Sequence, residues 1–98
     1  MSKYKLSNVA KQGLIRIHQY GILKFGVIQA DKYFDSFFEY FKIIAERPYA
    51  FESVDFIKKG YICCVCGSDS IFYRINNDMV EIMAIVGRQD ASKFFTDL

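Results

Sequence analysis

At 98 residues the chain has the length of one compact core and is short for two, so a single domain spanning 1–98 is expected. Its composition, 52% apolar against 24% charged with Pro48 as the only proline, excludes a disordered tail, and its net charge of +2 excludes a strongly polyanionic or polycationic chain. Charged residues interrupt every apolar stretch before the roughly 18 residues of a membrane span, and Met1-Ser2-Lys3-Tyr4-Lys5-Leu6 does not lead into a signal-peptide pattern, so a cytoplasmic protein without membrane association is expected.

Tyr4-Lys5-Leu6 reads as a short first strand, after which Ser7 or Asn8 can cap a helix running to about Phe25. The helix's inward stripe is expected at Ala10, Leu14, Ile17, Gly21 and Phe25. Gly13 and Gly21 each weaken it by about 1 kcal/mol relative to alanine, so packing must hold it, and a close helix contact at Gly21 would account for that glycine. Gly26 breaks the pattern. A second helix is expected from about Val27 to Glu46, ended by Arg47-Pro48, with Ala30, Tyr33 or Phe34, Phe37, Phe41 and Ile44 facing inward. So short a connection makes the two an antiparallel hairpin.

Residues 49–57 read as an irregular crossing segment pinned to the domain by Tyr49, Phe51 and Phe56. Beyond Gly60 the apolar period changes to two: Tyr61–Cys66, Ser70–Ile75 and Val80–Val86 are expected strands of an antiparallel meander. They are joined by Gly67-Ser68-Asp69 and Asn76-Asn77-Asp78, both rich in turn formers. Asp90 can cap a short last helix with Phe94, Phe95 and Leu98 as its apolar positions. The fold class is α+β: an N-terminal strand, a helical hairpin packed on a small twisted antiparallel sheet, and a short C-terminal helix.

Charge is unevenly divided. Residues 1–25 carry Lys3, Lys5, Lys11, Arg16 and Lys24 and no acid, whereas Asp31, Asp35, Glu39, Glu46, Glu52 and Asp55 crowd the middle. The basic end either meets an acidic partner or is a solvated helix face. Cys63 and Cys66 form a C-x-x-C, but the motif falls inside an expected strand whose alternation turns Cys63 away from Cys64 and Cys66, and His18 is the sole imidazole. Buried structural thiols are therefore expected in place of a redox or metal site, with no cofactor. His18 has no acid near it in sequence, so a catalytic role is not expected. Phe38, Tyr40, Phe51 and Phe56 belong either to an exposed binding surface or to a thick aromatic core.

Several segments resemble the RelE/ParE toxin superfamily, and the ParE branch in particular. These are Leu6-Ser7-Asn8-Val9-Ala10-Lys11, Phe25-Gly26 with Gln29-Ala30 and Tyr33, and Ala45-Glu46-Arg47-Pro48 in the N-terminal half. In the sheet they are Gly60-Tyr61, Ser70-Ile71-Phe72-Tyr73-Arg74-Ile75, and Val80-Glu81-Ile82 running on to Gly87-Arg88-Gln89-Asp90. The resemblance implies a toxin of a type II toxin–antitoxin module that inhibits DNA gyrase by binding, without catalysis or direct sequence-specific nucleic-acid recognition. Its neutralising partner would be a ParD-like ribbon-helix-helix antitoxin.

A RelE-like ribosome-dependent ribonuclease is the alternative, but cleavage of RNA needs clustered cations on the sheet, and Ile62 and Cys63 stand where relatives often carry arginine. The same departure leaves open a degenerate family member that only binds antitoxin. Candidate target contacts are Arg74, Arg88 and Asp90. Arg74 is alternatively a cross-strand ion-pair residue, and Asp90 alternatively a helix cap. Candidate antitoxin contacts are Phe38, Tyr40, Phe51, Phe56, Phe94 and Phe95.

Overall fold

The computed structural model describes residues 3–87; the expected last helix, and with it Arg88, Asp90, Phe94, Phe95 and Leu98, lies outside the described residues. The elements in chain order are β1 (Tyr4–Leu6), α1 (Asn8–Phe25), α2 (Val27–Glu46), β2 (Glu52–Ser53), β3 (Ile62–Cys66), β4 (Asp69–Asn76) and β5 (Met79–Gly87). They form one sheet of order β1-β5-β4-β3-β2. The expected meander β3-β4-β5 is antiparallel, and β1 joins it in parallel along β5, with Tyr4 opposite Val80 and Leu6 opposite Ile82, which makes the sheet mixed.

Turn chemistry sets the register of the meander. Cys66 pairs with Asp69 across Gly67-Ser68, where Gly67 takes the positive φ of 61° that a two-residue hairpin needs at its first central position. Asn76 pairs with Met79 across Asn77-Asp78, whose φ values of 52° and 61° are tolerated because short amide and carboxylate side chains are at home in the left-handed region.

A bulge ties the sheet to the first helix. Phe72 pairs with Ala84 but Tyr73 pairs with Ile82, leaving Met83 as the extra residue of β5. Ser7 collects what the bulge releases: its backbone amide donates to the Ile82 carbonyl at 3.0 Å and its hydroxyl to the Met83 carbonyl at 2.8 Å. The same hydroxyl accepts from the Ala10 amide at 3.0 Å, so one side chain caps α1 and seats it on β5.

The main core lies between hairpin and sheet: Ala10, Leu14, Phe37, Phe41 and Ile44 from the helices meet Cys64, Cys66, Ile71, Tyr73, Val80, Ile82 and Ile85. A smaller cluster of Val54, Tyr61, Phe72, Ala84 and Val86 occupies the other face of the sheet. The helical stripes fall where their spacing predicts, except at one end. Phe25 is 62% exposed, because Gly26 (φ 87°) turns the chain beyond the last contact between the helices. The crossing segment also differs from expectation. Tyr49 and Phe56 are exposed and pin nothing, while half-buried Phe51 and buried Val54 hold the segment, which contributes β2 to the sheet edge beside β3.

Both helical glycines mark close approaches. A Cβ on Gly21 would stand 3.2 Å from that of Ala30 across the hairpin, the contact expected there. At Gly13 it would stand 2.7 Å from the Ile85 carbonyl oxygen, a backbone atom that cannot swing aside. Gly13→Ala gains about 1 kcal/mol of helix propensity but incurs overpacking that typically costs about 1–3 kcal/mol. A net loss of up to about 2 kcal/mol is therefore expected, visible as a lower urea midpoint with an unchanged slope, where an open site would give a gain of about 1 kcal/mol.

Candidate protein-binding surface

The reactive-looking side chains are each engaged in the fold. Arg74 Nε donates to Glu81 Oε1 at 2.7 Å and Lys5 Nζ to Glu81 Oε2 at 3.0 Å, a ladder across β4, β5 and β1 on the face of the sheet away from the helices. The Arg74 guanidinium, helped by Lys5, holds the Glu81 carboxyl below the usual carboxylate range. Arg74 thus takes the ion-pair arrangement, while its side chain keeps 44% exposure.

His18 Nε2 lies 2.7 Å from Asp31 Oδ1 on α2, with its ring 4.9 Å from that of Phe34. This acidic partner comes from the opposite helix of the hairpin, and the pair ties the two helices together.

Alternation splits the thiols as expected. Cys64 and Cys66 are buried toward the helices and Cys63 packs against the cluster on the outer face. Burial pushes all three thiols up, Cys64 to about 12 with the neighbouring Cys66 adding to the effect, the opposite of what a redox or metal-binding thiol needs. No group of three His, Cys, Asp or Glu is arranged to hold a metal ion among the described residues.

The aromatic candidates divide. Phe38 lies between Phe34 and Phe41, with ring centroids 5.3 and 5.4 Å away, and together with Tyr40 and Phe51 it is half-buried against the main core. Phe56 is 80% exposed. Phe94 and Phe95, like Arg88 and Asp90, lie outside the described residues.

The larger exposed apolar surface is elsewhere. Val9, Arg16, Tyr20 and Leu23 recur along α1 at intervals that a period of 3.6 residues gathers into one exposed stripe, in which Arg16 Nη2 also donates to the Ile85 carbonyl at 3.4 Å. The stripe ends at the hairpin apex, where Leu23 is 89% and Ile28 76% exposed and Phe25 and Val27 are exposed as well. Lys24 Nζ donates to Tyr20 Oη at 3.1 Å and lies over the rings of Tyr20 and Phe25. The first 30 residues contain no Asp or Glu, so this face is basic, while exposed Asp31, Asp35, Glu39 and Glu46 make the outer side of α2 largely acidic. The sequence does carry a signal for the apex: Leu23, Phe25, Val27 and Ile28 straddle a glycine break, where a chain reversal leaves little to bury them against.

Among the described residues no helix is long and apolar enough to cross a membrane. A family model described as "ParE toxin of type II toxin-antitoxin system, parDE" matches residues 4–91. The chain is 34% identical over 86 residues to Toxin ParE1 of Caulobacter vibrioides (strain ATCC 19089 / CIP 103742 / CB 15), an alignment covering 88% of each chain. Its fold is similar to that of a solved structure titled "Chromosomal ParDE TA system from P. aeruginosa", with a TM-score of 0.79 at 17% identity, covering 89% of this chain and 96% of that one. With the model running from β1 beyond the end of β5, and with a curated toxin more than 30% identical over most of both lengths, this chain belongs to the ParE toxin family of type II toxin–antitoxin systems.

Proposed function

We propose that this protein is a cytoplasmic toxin that inhibits DNA gyrase by binding it, and that a ParD-like antitoxin neutralises it by covering its exposed apolar surface. Membership of the family supplies the prior. The observation that carries the reading is a division of labour among side chains. Arg74 is ion-paired to Glu81, His18 is bonded to Asp31 and the thiols are packed in the two cores, while the exposed stripe of α1 offers large apolar groups near cations. That stripe suits an amphipathic acidic segment, which would meet Val9, Tyr20 and Leu23 with Arg16 among them and Lys24 beside Tyr20. Phe56 and the partly exposed edges of Phe38, Tyr40 and Phe51 extend the surface available to a wrapping antitoxin, and Phe94 and Phe95 remain antitoxin candidates on the evidence of sequence. Arg74, whose side chain stays partly exposed beside Glu81, remains a candidate target contact, as do Arg88 and Asp90 from the sequence.

The ribonuclease alternative fares less well. Ile62 and Cys63 pair with Tyr73 and Phe72, and Cys63 packs into the cluster of Phe72, Tyr61 and Val86, so apolar packing occupies ground where RNA cleavage needs cations.

The test is plasmid cleavage by purified gyrase with ATP and this protein, with linear DNA scored after detergent and protease, in the presence and absence of antitoxin. Antitoxin-sensitive accumulation of linear DNA is expected. No linear DNA at a concentration that still binds antitoxin would sink gyrase poisoning, and a translation assay on ribosomes would then separate a ribonuclease from a degenerate antitoxin-binding member.

A further inference from the structure

The apex of the helical hairpin takes Tyr20, Leu23 and Lys24 from the end of the α1 stripe and adds Phe25, Val27 and Ile28 to them. It brings together exposed Tyr20, Leu23, Phe25, Val27 and Ile28, with Lys24 over the rings of Tyr20 and Phe25, at the turn beyond the close approach of Gly21 to Ala30. Leu23 and Ile28 at 89% and 76% exposure carry a free-energy cost in water that packing within this chain does not relieve. A convex apolar knob of this kind fits a pocket on another molecule.

Charge indicates which molecule. No acid occurs in the first 30 residues, and the first in the chain, Asp31, is engaged by His18. Two copies meeting knob to knob would oppose Lys24 to Lys24 with no carboxylate to relieve the repulsion. The occupant must bring the acid itself.

We propose that the apex is the surface this toxin presents to its target, and that the target supplies an apolar pocket rimmed by carboxylates. The inference rests on the toxin reading and adds to it a contact surface that does not include the candidates Arg74, Arg88 and Asp90. Leu23 and Ile28 enter the pocket, and Lys24, held over Tyr20 and Phe25, meets the rim. An apolar centre that includes the aromatic rings of Tyr20 and Phe25, with a charged group at its edge, has the core-and-rim anatomy of a protein interface.

The experiment expresses the full chain from a titratable promoter without antitoxin and reads the inducer level that half-arrests growth. Compared with wild type are the double variant Leu23→Asp/Ile28→Asp, the charge reversal Lys24→Glu, and Tyr49→Ser as an exposed aromatic change away from the apex. Because the altered side chains are solvent-exposed, melting temperatures should stay within about 4 °C of wild type. The double variant should need roughly tenfold more inducer or fail to arrest, Lys24→Glu should fall between, and Tyr49→Ser should match wild type.

Arrest by the folded double variant at the wild-type inducer level overturns the inference, and parallel measurements then say what the apex binds. Weakened antitoxin binding assigns it to the antitoxin, dissolution of a wild-type dimer in sedimentation assigns it to a second copy, and lost binding to anionic phospholipid vesicles assigns it to a lipid surface. A wild-type chain that does not arrest growth is a different failure, which removes the toxin reading and this inference with it. Wild-type arrest without gyrase-dependent cleavage removes only the identity of the target.

Discussion

Phe41→Ala should cost about 3–5 kcal/mol, a large share of the roughly 5–15 kcal/mol that holds a domain of this size together. Phe41 is fully buried where three parts of the fold meet. Its ring lies 5.3 Å from that of Tyr4 on β1 and 5.4 Å from that of Phe38 one turn earlier on α2. Removing it takes away the transfer energy of a large aromatic side chain and leaves a cavity under the three-residue edge strand β1. The urea midpoint should fall steeply with the slope unchanged, and much of the protein should be unfolded at 37 °C. Two companions calibrate the result. Phe38→Ala, at a half-buried position, should lose less than half as much, and Leu23→Ala, at the exposed apex, should stay within about 0.5 kcal/mol of wild type. A loss below about 1 kcal/mol at Phe41 would mean that the core around it collapses to fill the space, and that β1 is held without the Phe41 ring.

The contrast between Phe41 and Leu23 also marks how far the sequence could be read. Periods of 3.6 and of 2 are local signals, and they located both helices, the three long strands and the inward residues Leu14, Phe37 and Ile44. Ser7 was legible as a cap because capping needs only an oxygen next to the first turn. What stayed hidden depends on partners distant in the chain. The parallel seat of β1 on β5, the bulge at Met83 and the role of Gly13 follow from a pairing across more than 70 residues, with no local pattern to betray it. β2 was missed because Glu52-Ser53 is a strand only through the edge of β3. His18 found Asp31 because the hairpin brings residue 18 opposite residue 31. Phe25 continued the α1 stripe by spacing alone, yet a stripe buries nothing once its partner helix has turned away. For the binding surface, counting aromatics nominated Phe38, Tyr40, Phe51 and Phe56, of which Phe56 is exposed and the other three half-buried, because composition measures how much apolar material is present and not which of it the fold covers.

The second large effect is expected at Tyr33→Phe, which should cost about 1.5–3 kcal/mol, the range for a hydrogen bond to a charged group. The Tyr33 hydroxyl donates to Asp69 Oδ2 at 2.6 Å and lies 3.0 Å from the Cys66 carbonyl, so one proton on α2 serves both ends of the β3–β4 turn. The ring lies so close over Gly67 that a Cβ there would stand 2.8 Å from it, and Asp69 is buried. Phenylalanine keeps the packing and leaves a buried carboxylate short of a donor, so the loss reports on the hydrogen bond and not on a cavity. Desolvation first, and the bond to Asp69 second, push the phenol from 10.0 to about 12. A raised folded-state value means that the native protein keeps a proton that the unfolded chain releases. The contribution is therefore fully present below about pH 10 and is lost as pH rises through about 12. Buried Tyr73, also pushed up by burial, adds a slope of the same sign, so Tyr33→Phe should flatten the alkaline decline of stability without abolishing it. A double-mutant cycle with Asp69→Asn should return a coupling above about 0.5 kcal/mol; additive losses would break the proposed link. The latch also bears on the apex. Tyr33 follows Ile28 by five residues, about 8 Å along α2, so the bond to Asp69 braces the root of the hairpin against the sheet while its tip projects toward a partner. If the apex acts as a rigid knob, Tyr33→Phe should raise the inducer level needed for growth arrest even at a temperature where the variant remains folded, whereas unchanged arrest there would show that the knob orders itself on its target.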